Sequence, residues 1–539
     1  MEIAGNIVDV VAGRIFPGHV RIKDGRISAV SEDHSRYSHF ILPGLIDSHI
    51  HIESSMLTPA GFAAAAVVHG TVGVVADPHE IANVLGLAGV EFMLANARDL
   101  PFRFAFGAPA CVPATAFESA GAVLDAPAVA DLLARDDIYF LSEMMNFPGV
   151  LAGEPEVMAK LAAARRAGKP IDGHAPGLNG ADLEKYIASG ISTDHEAFSL
   201  AEARAKLASG MLIQIREGTG AKNFDELIAL LKDYPERIMF CSDDLHPDDL
   251  IKGHINLLVR RALRLGFDPI TALRPATLTP ARHYNLPIGL LQVGDAADFI
   301  LVDSLQAFNV LQTYVGGVKV AERGTGLIRP QSIATLGRLD LSPLSPADLE
   351  LETRGRHVRA IEVIDGQLVT RARLEPAPLR DGLAVGEPER DLLKLVVLNR
   401  YAPSKPAIGF IRGFGLKTGA IAASIAHDSH NLIACGVSDE AICRALNLLI
   451  DSGGGLAGVG QQEALVLPLP IAGLMSPADA ATVGRDYAAL DSYAKKLGSK
   501  LGAPFMTLSF MALPVIPELK LTDQGLFDVT SFDFVPLFV

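Results

Sequence analysis

The chain is predicted to be an α/β protein: a TIM-like (β/α)8 barrel with a discontinuous small β-sandwich domain and a C-terminal α+β domain. Three observations carry this prediction. Between residues 43 and 286, short apolar runs alternate with helix-forming runs over the length of one barrel. β-type patterns flank that stretch on both sides. After residue 342 the pattern changes again, to Gly-rich segments with mixed strand and helix signals.

The N-terminal piece spans 1–42. Val20 to Val30 alternates apolar and polar residues around Asp24-Gly25, a favoured two-residue hairpin turn. A second β-rich piece spans 287–335, with Asp298 to Asp303 as a strand and Gly316-Gly317 as a turn. The two are expected to pair into one small domain interrupted by the barrel.

The barrel segment, 43–286, opens with Pro43-Gly44-Leu45-Ile46-Asp47-Ser48-His49-Ile50-His51. Side chains alternate faces along a strand, so His49 and His51 point the same way, and two imidazoles aimed at one point can hold a metal ion. Later apolar runs each end on polar residues. Val72 to Ala76 leads to Asp77-Pro78-His79-Glu80, and Ile138 to Leu141 leads to Ser142-Glu143. Ile171 to Gly173 leads to His174, and Ile191 to Asp194 leads to His195. Leu212 to Ile215 leads to Arg216-Glu217, and Ile238 to Cys241 leads to Ser242-Asp243-Asp244. Helical runs at 155–168, 180–189, 200–210 and 223–233 separate several of them. Polar groups just past the C-terminal ends of barrel strands lie where barrel active sites are built. Collected by strand, His49, His51, Glu143, His174, His195 and Asp243 suffice for two metal ions. His49, His51 and Asp243 would hold one, His174 and His195 the other, with Glu143 bridging; such a pair can activate a hydroxide.

Ser342-Pro343-Leu344-Ser345-Pro346 reads as a linker, and 342–539 as the separate C-terminal domain. Its Gly453-Gly454-Gly455 lacks a following Lys-Ser/Thr and is no phosphate loop. His427-Asp428-Ser429-His430 is read as structural, or as a lid reaching over the barrel, because triad geometry has to be judged in space.

A length of 539 residues exceeds one domain, and 49% hydrophobic with 20% charged residues is an ordinary globular composition. The net charge of -15 argues against a nucleic-acid partner. The start of the chain has no basic segment leading into an apolar run, and no apolar stretch reaches 18 residues. No membrane association is expected, and the protein is expected to be cytoplasmic. Cys111, Cys241, Cys435 and Cys443 form no C-x-x-C, which fits a reducing compartment, excludes a cysteine-rich zinc module and counts against the P-C-x-x-C type of deaminase site.

The ordered set of His-x-His, later histidines and a last aspartate resembles the amidohydrolase superfamily. Within it, the chain is similar to the bacterial-type adenine deaminases. The segments that carry the resemblance are His49 to Met56, Val75 to Val84, Glu143-Met144-Met145-Asn146, Asp172 to Leu178, Thr193-Asp194-His195-Glu196 and Arg216-Glu217-Gly218; Ala426 to Asn431 and Pro504 to Phe510 extend it into the last domain. The resemblance implies a binuclear divalent metal centre of Mn2+ or Fe2+ (Zn2+ suits the same donors), a small-molecule purine substrate and a homo-oligomer. It implies conversion of adenine to hypoxanthine and ammonia by metal-activated hydroxide attack at C6, in purine salvage. Glu143 stands where many amidohydrolases carry a bridging carboxylated lysine, which argues against a hydantoinase or dihydroorotase. Two departures concern the pocket: the glycine turn reads Gly218-Thr219-Gly220, and Leu245 stands where the family has arginine.

Asp243 is the expected proton shuttle. The ring nitrogen also needs an acid. Related deaminases use a His-x-x-Glu, but Ala175-Pro176-Gly177 follows His174, so Glu217 is the first candidate and Glu80 the next. Asp244, Arg216 and Glu217 are candidates for binding the purine, with Asp77 and His79 behind the ligands. The alternatives are an amidohydrolase acting on another aminopurine or a cyclic amide, and a non-catalytic, metal-free scaffold.

Overall fold

The computed structural model describes residues 1–329, 333–337 and 339–539. Residues 330–332, near the end of the segment assigned to the small domain, lie outside the described residues.

The small β unit is one eight-stranded sheet built from both ends of the barrel segment. Strands β1 (Glu2–Asp9), β2 (Arg14–Lys23), β3 (Arg26–Glu32) and β4 (Phe40–Pro43) come before the barrel. Asp24 and Gly25 both have positive φ, as the tight turn between β2 and β3 requires. The strands that return after the barrel pair with β4: Ile300 opposes Leu42 and Leu301 opposes Ile41. The sheet folds over itself, so that Ile27 N–H donates to the Asp295 carbonyl at 2.9 Å. Ile7, Phe16, Val20, Ile22, Phe299 and Leu301 fill the space inside.

The barrel strands are β5 (Leu45–Ile50), β6 (Thr71–Ala76), β7 (Arg103–Ala108), β8 (Ile138–Met144), β9 (Ile171–Gly173), β10 (Thr193–Asp194), β11 (Leu212–Arg216) and β12 (Ile238–Cys241). β5 to β9 form one parallel ladder and β10 to β12 another. Two seams join them. At one, Ser192 N–H donates to the Ile171 carbonyl at 3.0 Å. At the other, Asp243 N–H donates to His49 O at 2.9 Å and His51 N–H to Asp243 O at 3.3 Å. The residue that closes the barrel is thus also a candidate ligand. Asp243 sits at φ 54°, a left-handed conformation that Asp tolerates better than most residues.

Helices cover the outside. Pro155–Ala167 has proline at its start and Gly168 at φ 66° just past its end, the usual start and stop chemistry. The run expected at 223–233 is split into a short α-helix, Phe224–Leu227, and a 3-10 turn, Ile228–Lys232. β8 continues through Glu143 to Met144, so Glu143 lies within the strand end rather than past it. β7 has no counterpart in the sequence reading: it ends in Gly107-Ala108, with no polar group to mark it.

The C-terminal unit is a second eight-stranded sheet, from Thr370–Pro376 at one edge to Ala464–Pro468 at the other. Helix Asp439–Ser452, capped by Ser438, buries Ile442, Ala445, Leu446 and Leu449 on it. Helix Ala480–Lys496 packs against the short barrel helix Pro247–Leu250. Gly484 permits that approach, since a Cβ there would lie 3.1 Å from the Pro247 carbonyl oxygen. Phe505, Met506, Phe510 and Leu513 join the same apolar cluster as Ile50 and Ile52, so one core runs from the barrel into the last unit. Among the described residues no helix is long and apolar enough to cross a membrane.

Candidate active site

The six donors named from the sequence converge at the C-terminal mouth of the barrel. Glu143 is their centre. Its Oε1 lies 3.1 Å from His51 Nε2 and 3.9 Å from His49 Nε2; its Oε2 lies 2.7 Å from His174 Nδ1 and 3.3 Å from His195 Nε2. Asp243 Oδ1 lies 3.2 Å from His51 Nε2 and 3.6 Å from His49 Nε2. One carboxylate therefore turns an oxygen to each of two imidazole pairs. Both ring nitrogens of His49, and Nδ1 of His195, are buried and have no hydrogen-bond partner among the described residues. Buried polar atoms are rarely left without partners, so the site asks for a group that accepts nitrogen lone pairs. Imidazole and carboxylate donors within 4.8 Å of one another are the chemistry a divalent cation fits.

The shell behind these donors fixes their orientation. His51 Nδ1 faces the Asp77 carbonyl at 3.2 Å, which leaves Nε2 free toward the centre. Asp47, buried under the first strand, accepts from Ser242 N–H and faces His254 Nε2 at 2.8 Å. Tyr186 OH accepts from His174 N–H and donates to Met144 O. Asn223 accepts from Arg216 N–H and donates to His195 O, tying two neighbouring strand ends together.

Arg216 is fully buried between two carboxylates, Glu196 and Asp243, with Nη1 2.5 Å from Asp243 Oδ2. Burial by itself would raise the Asp243 pKa. The Arg216 guanidinium, with His49 and His51, instead holds it well below the usual carboxylate range. Glu196 was not among the sequence candidates; its only signal was its place directly after His195. Arg216 lines the cavity but is committed to these ion pairs.

Glu217 does not reach the site. Strand alternation that turns Arg216 inward turns Glu217 outward, where its carboxylate pairs with Arg261 at 2.8 Å. The expectation for Glu217 is corrected on both counts, as ring acid and as purine contact. Asp244 does line the cavity, and Ser54 Oγ donates to its Oδ1 at 2.5 Å. Leu245, at the family's arginine position, is buried in the apolar core rather than in the cavity wall.

Glu80 is in the site, held in a way the sequence did not indicate. One carboxylate oxygen bonds His427 Nδ1 and the other His430 Nε2, across separations of 347 and 350 residues. His430 Nδ1 accepts from Ala426 N–H, so its Nε2 carries the proton shared with Glu80. Burial opposes a charge on His427, but Glu80 and then Asp244 raise its pKa to about 9. Burial lowers His430 to about 4. Glu80 is thus an ionised carboxylate between an imidazolium and a neutral imidazole. The wall facing the barrel donors comes from the C-terminal unit: Leu368, His427, Asp428, Phe510, Leu513 and Ile516. The His427 segment therefore does reach over the barrel.

A closed (β/α)8 barrel with this donor set at its C-terminal mouth defines a metal-dependent hydrolase, and residues 40–320 match the amidohydrolase family. Membership implies a divalent metal centre. Residues 367–533 match the adenine deaminase C-terminal domain. The chain is 53% identical over 540 residues to the adenine deaminase of Salinibacter ruber, covering 100% of this chain and 99% of that protein. It is 52% identical over 545 residues to the adenine deaminase of Methanosarcina acetivorans, covering 99% of each. The chain belongs to the adenine deaminase family of amidohydrolases.

Proposed function

We infer that the protein hydrolyses adenine to hypoxanthine and ammonia, in purine salvage. The observation that carries this reading is the Glu143 arrangement, one oxygen toward each imidazole pair, in a chain alike over its whole length to adenine deaminases. His49, His51 and Asp243 would hold one divalent ion, and His174 and His195 a second, with Glu143 between them. Mn2+ or Fe2+ is the proposed native metal, and Zn2+ suits the same donors. When bound, such ions lower the pKa of water and so supply a nucleophile near neutral pH.

The remaining steps belong to the chain. Asp243, kept ionised by Arg216, takes the proton released as water adds to C6 and passes it to the departing ammonia. The ring nitrogen beside C6 gains its proton from the Glu80–His427 pair, which holds one near neutral pH and borders the cavity, and the pair recovers one as the C6 hydroxyl becomes the carbonyl of hypoxanthine. Asp244, anchored by Ser54, meets the amino edge of the purine. Glu196 and Arg216 position Asp243. The apolar cap of Leu368, Phe510, Leu513 and Ile516 excludes bulk water from the reacting face.

Ammonia release from adenine, adenosine, guanine and cytosine by the Mn2+-loaded enzyme tests this. Adenine is expected to dominate. Preference for guanine would favour another aminopurine deaminase. Absence of both tightly bound metal and ammonia release would leave only a scaffold.

A further inference from the structure

Asp428 lines the cavity, and the reaction above has no use for it. It is 3% exposed, and its Oδ2 is buried with no hydrogen-bond partner among the described residues. Its Oδ1 lies 3.9 Å from His79 Nε2, beyond hydrogen-bond range. The charged and titratable groups around it are His79, Glu80, His427 and Glu143, with Glu118 behind. An unpaired buried carboxyl oxygen is costly unless a ligand N–H completes it.

Its position indicates which N–H. The His79 ring spans the distance between the two sides: Nδ1 is 3.7 Å from Glu143 Oε1, and Nε2 faces Asp428. Asp428 Oδ1 therefore stands one imidazole ring plus gaps of 3.7 and 3.9 Å from Glu143 Oε1, beside which C6 would react. A purine placed with its six-membered ring at Glu143 and Asp243 turns its five-membered ring toward the C-terminal wall. In a free base that ring carries an N–H. In a nucleoside or nucleotide the sugar replaces that hydrogen.

We propose that Asp428 is a specificity-determining residue that accepts a hydrogen bond from the imidazole N–H of the free purine base and so discriminates against nucleosides and nucleotides. The proposal rests on the purine deaminase reading. The C-terminal unit then contributes substrate selection as well as a cap. A site built to hydrogen-bond a substrate N–H rejects analogues that lack it strongly, because its own polar group is left unpaired.

The test uses ligands that are not consumed: hypoxanthine, which keeps the imidazole N–H, and 9-methylhypoxanthine, which has none. Binding to the Mn2+-loaded enzyme is measured by calorimetry for the wild type and for Asp428→Leu, with metal content and melting temperature alongside. The wild type is expected to prefer hypoxanthine by at least roughly 10²-fold. Asp428→Leu, which removes the acceptor at similar volume, should lose most of that ratio, mainly through weaker hypoxanthine binding, with metal retained, and should raise KM for adenine more than it lowers kcat. Equal wild-type binding of the two ligands overturns the proposal without any variant. So does a ratio that survives in a folded Asp428→Leu, whose side chain has no acceptor, since exclusion would then rest on bulk alone. Ammonia release from adenine with an indifferent ratio overturns only the role of Asp428. An Asp428-dependent ratio without ammonia release supports that role and overturns the deaminase reading.

Discussion

The barrel side of the cavity takes its donors from strand ends, whereas the opposite wall takes His427, Asp428 and His430 from the C-terminal unit. On the barrel side, hydrogen-bonded ladders fix each donor, and Asp243 is itself part of the closing seam. On the far side, positions depend on how one unit docks on another through a shared apolar core. The two walls should therefore fail differently. Damage to the first removes chemistry; damage to the second removes proton supply, affinity and selectivity.

The largest expected effect is on the barrel side. Asp243→Asn keeps a residue that tolerates positive φ and keeps an oxygen donor, but removes the base. It should lower kcat by roughly 10²–10⁴-fold with metal still bound, checked by steady-state kinetics and elemental analysis. Activity near the wild-type level would show that the proton moves elsewhere. Next is Glu80→Gln across the domain boundary. It leaves His427 without its counter-charge, and kcat should fall by about 10²-fold with metal content unchanged. A variant altered only in stability would reduce Glu80 to a structural tie. Phe510→Ala removes the ring stacked 4.4 Å from the His427 ring. Thermal or urea unfolding should show a loss of about 3 kcal/mol, and KM should rise. The smallest effect is expected at Glu217→Gln, whose half-exposed partner Arg261 lies outside the cavity. Stability should change by less than about 1 kcal/mol and kcat/KM hardly at all. A large loss of activity there would reinstate Glu217 as the ring acid.

The same contrast separates what was legible in the sequence from what was not. The six donors were readable because each ends a run of apolar residues, and because period-two alternation puts His49 and His51 on one face. That reasoning fails one residue further on. Of Arg216 and Glu217 only one can face inward, and the register that decides it comes from pairing β11 with β12. β7 was missed because Gly107 and Ala108 carry no chemistry to mark a strand end. Glu80 was noticed, but its partners lie more than 340 residues away, a pairing that tertiary docking alone creates. The unpaired Asp428 oxygen is equally invisible to pattern, since it is a property of surroundings rather than of residue type.

Glu143 is proposed to join two metal positions into a single hydrolytic site. Stripping the purified enzyme with a chelator and titrating Mn2+ while following ammonia release from adenine tests it most directly. Activity should be absent in the stripped protein and should rise to a plateau at two equivalents per chain. A plateau at one equivalent, or full activity without added metal, would contradict it.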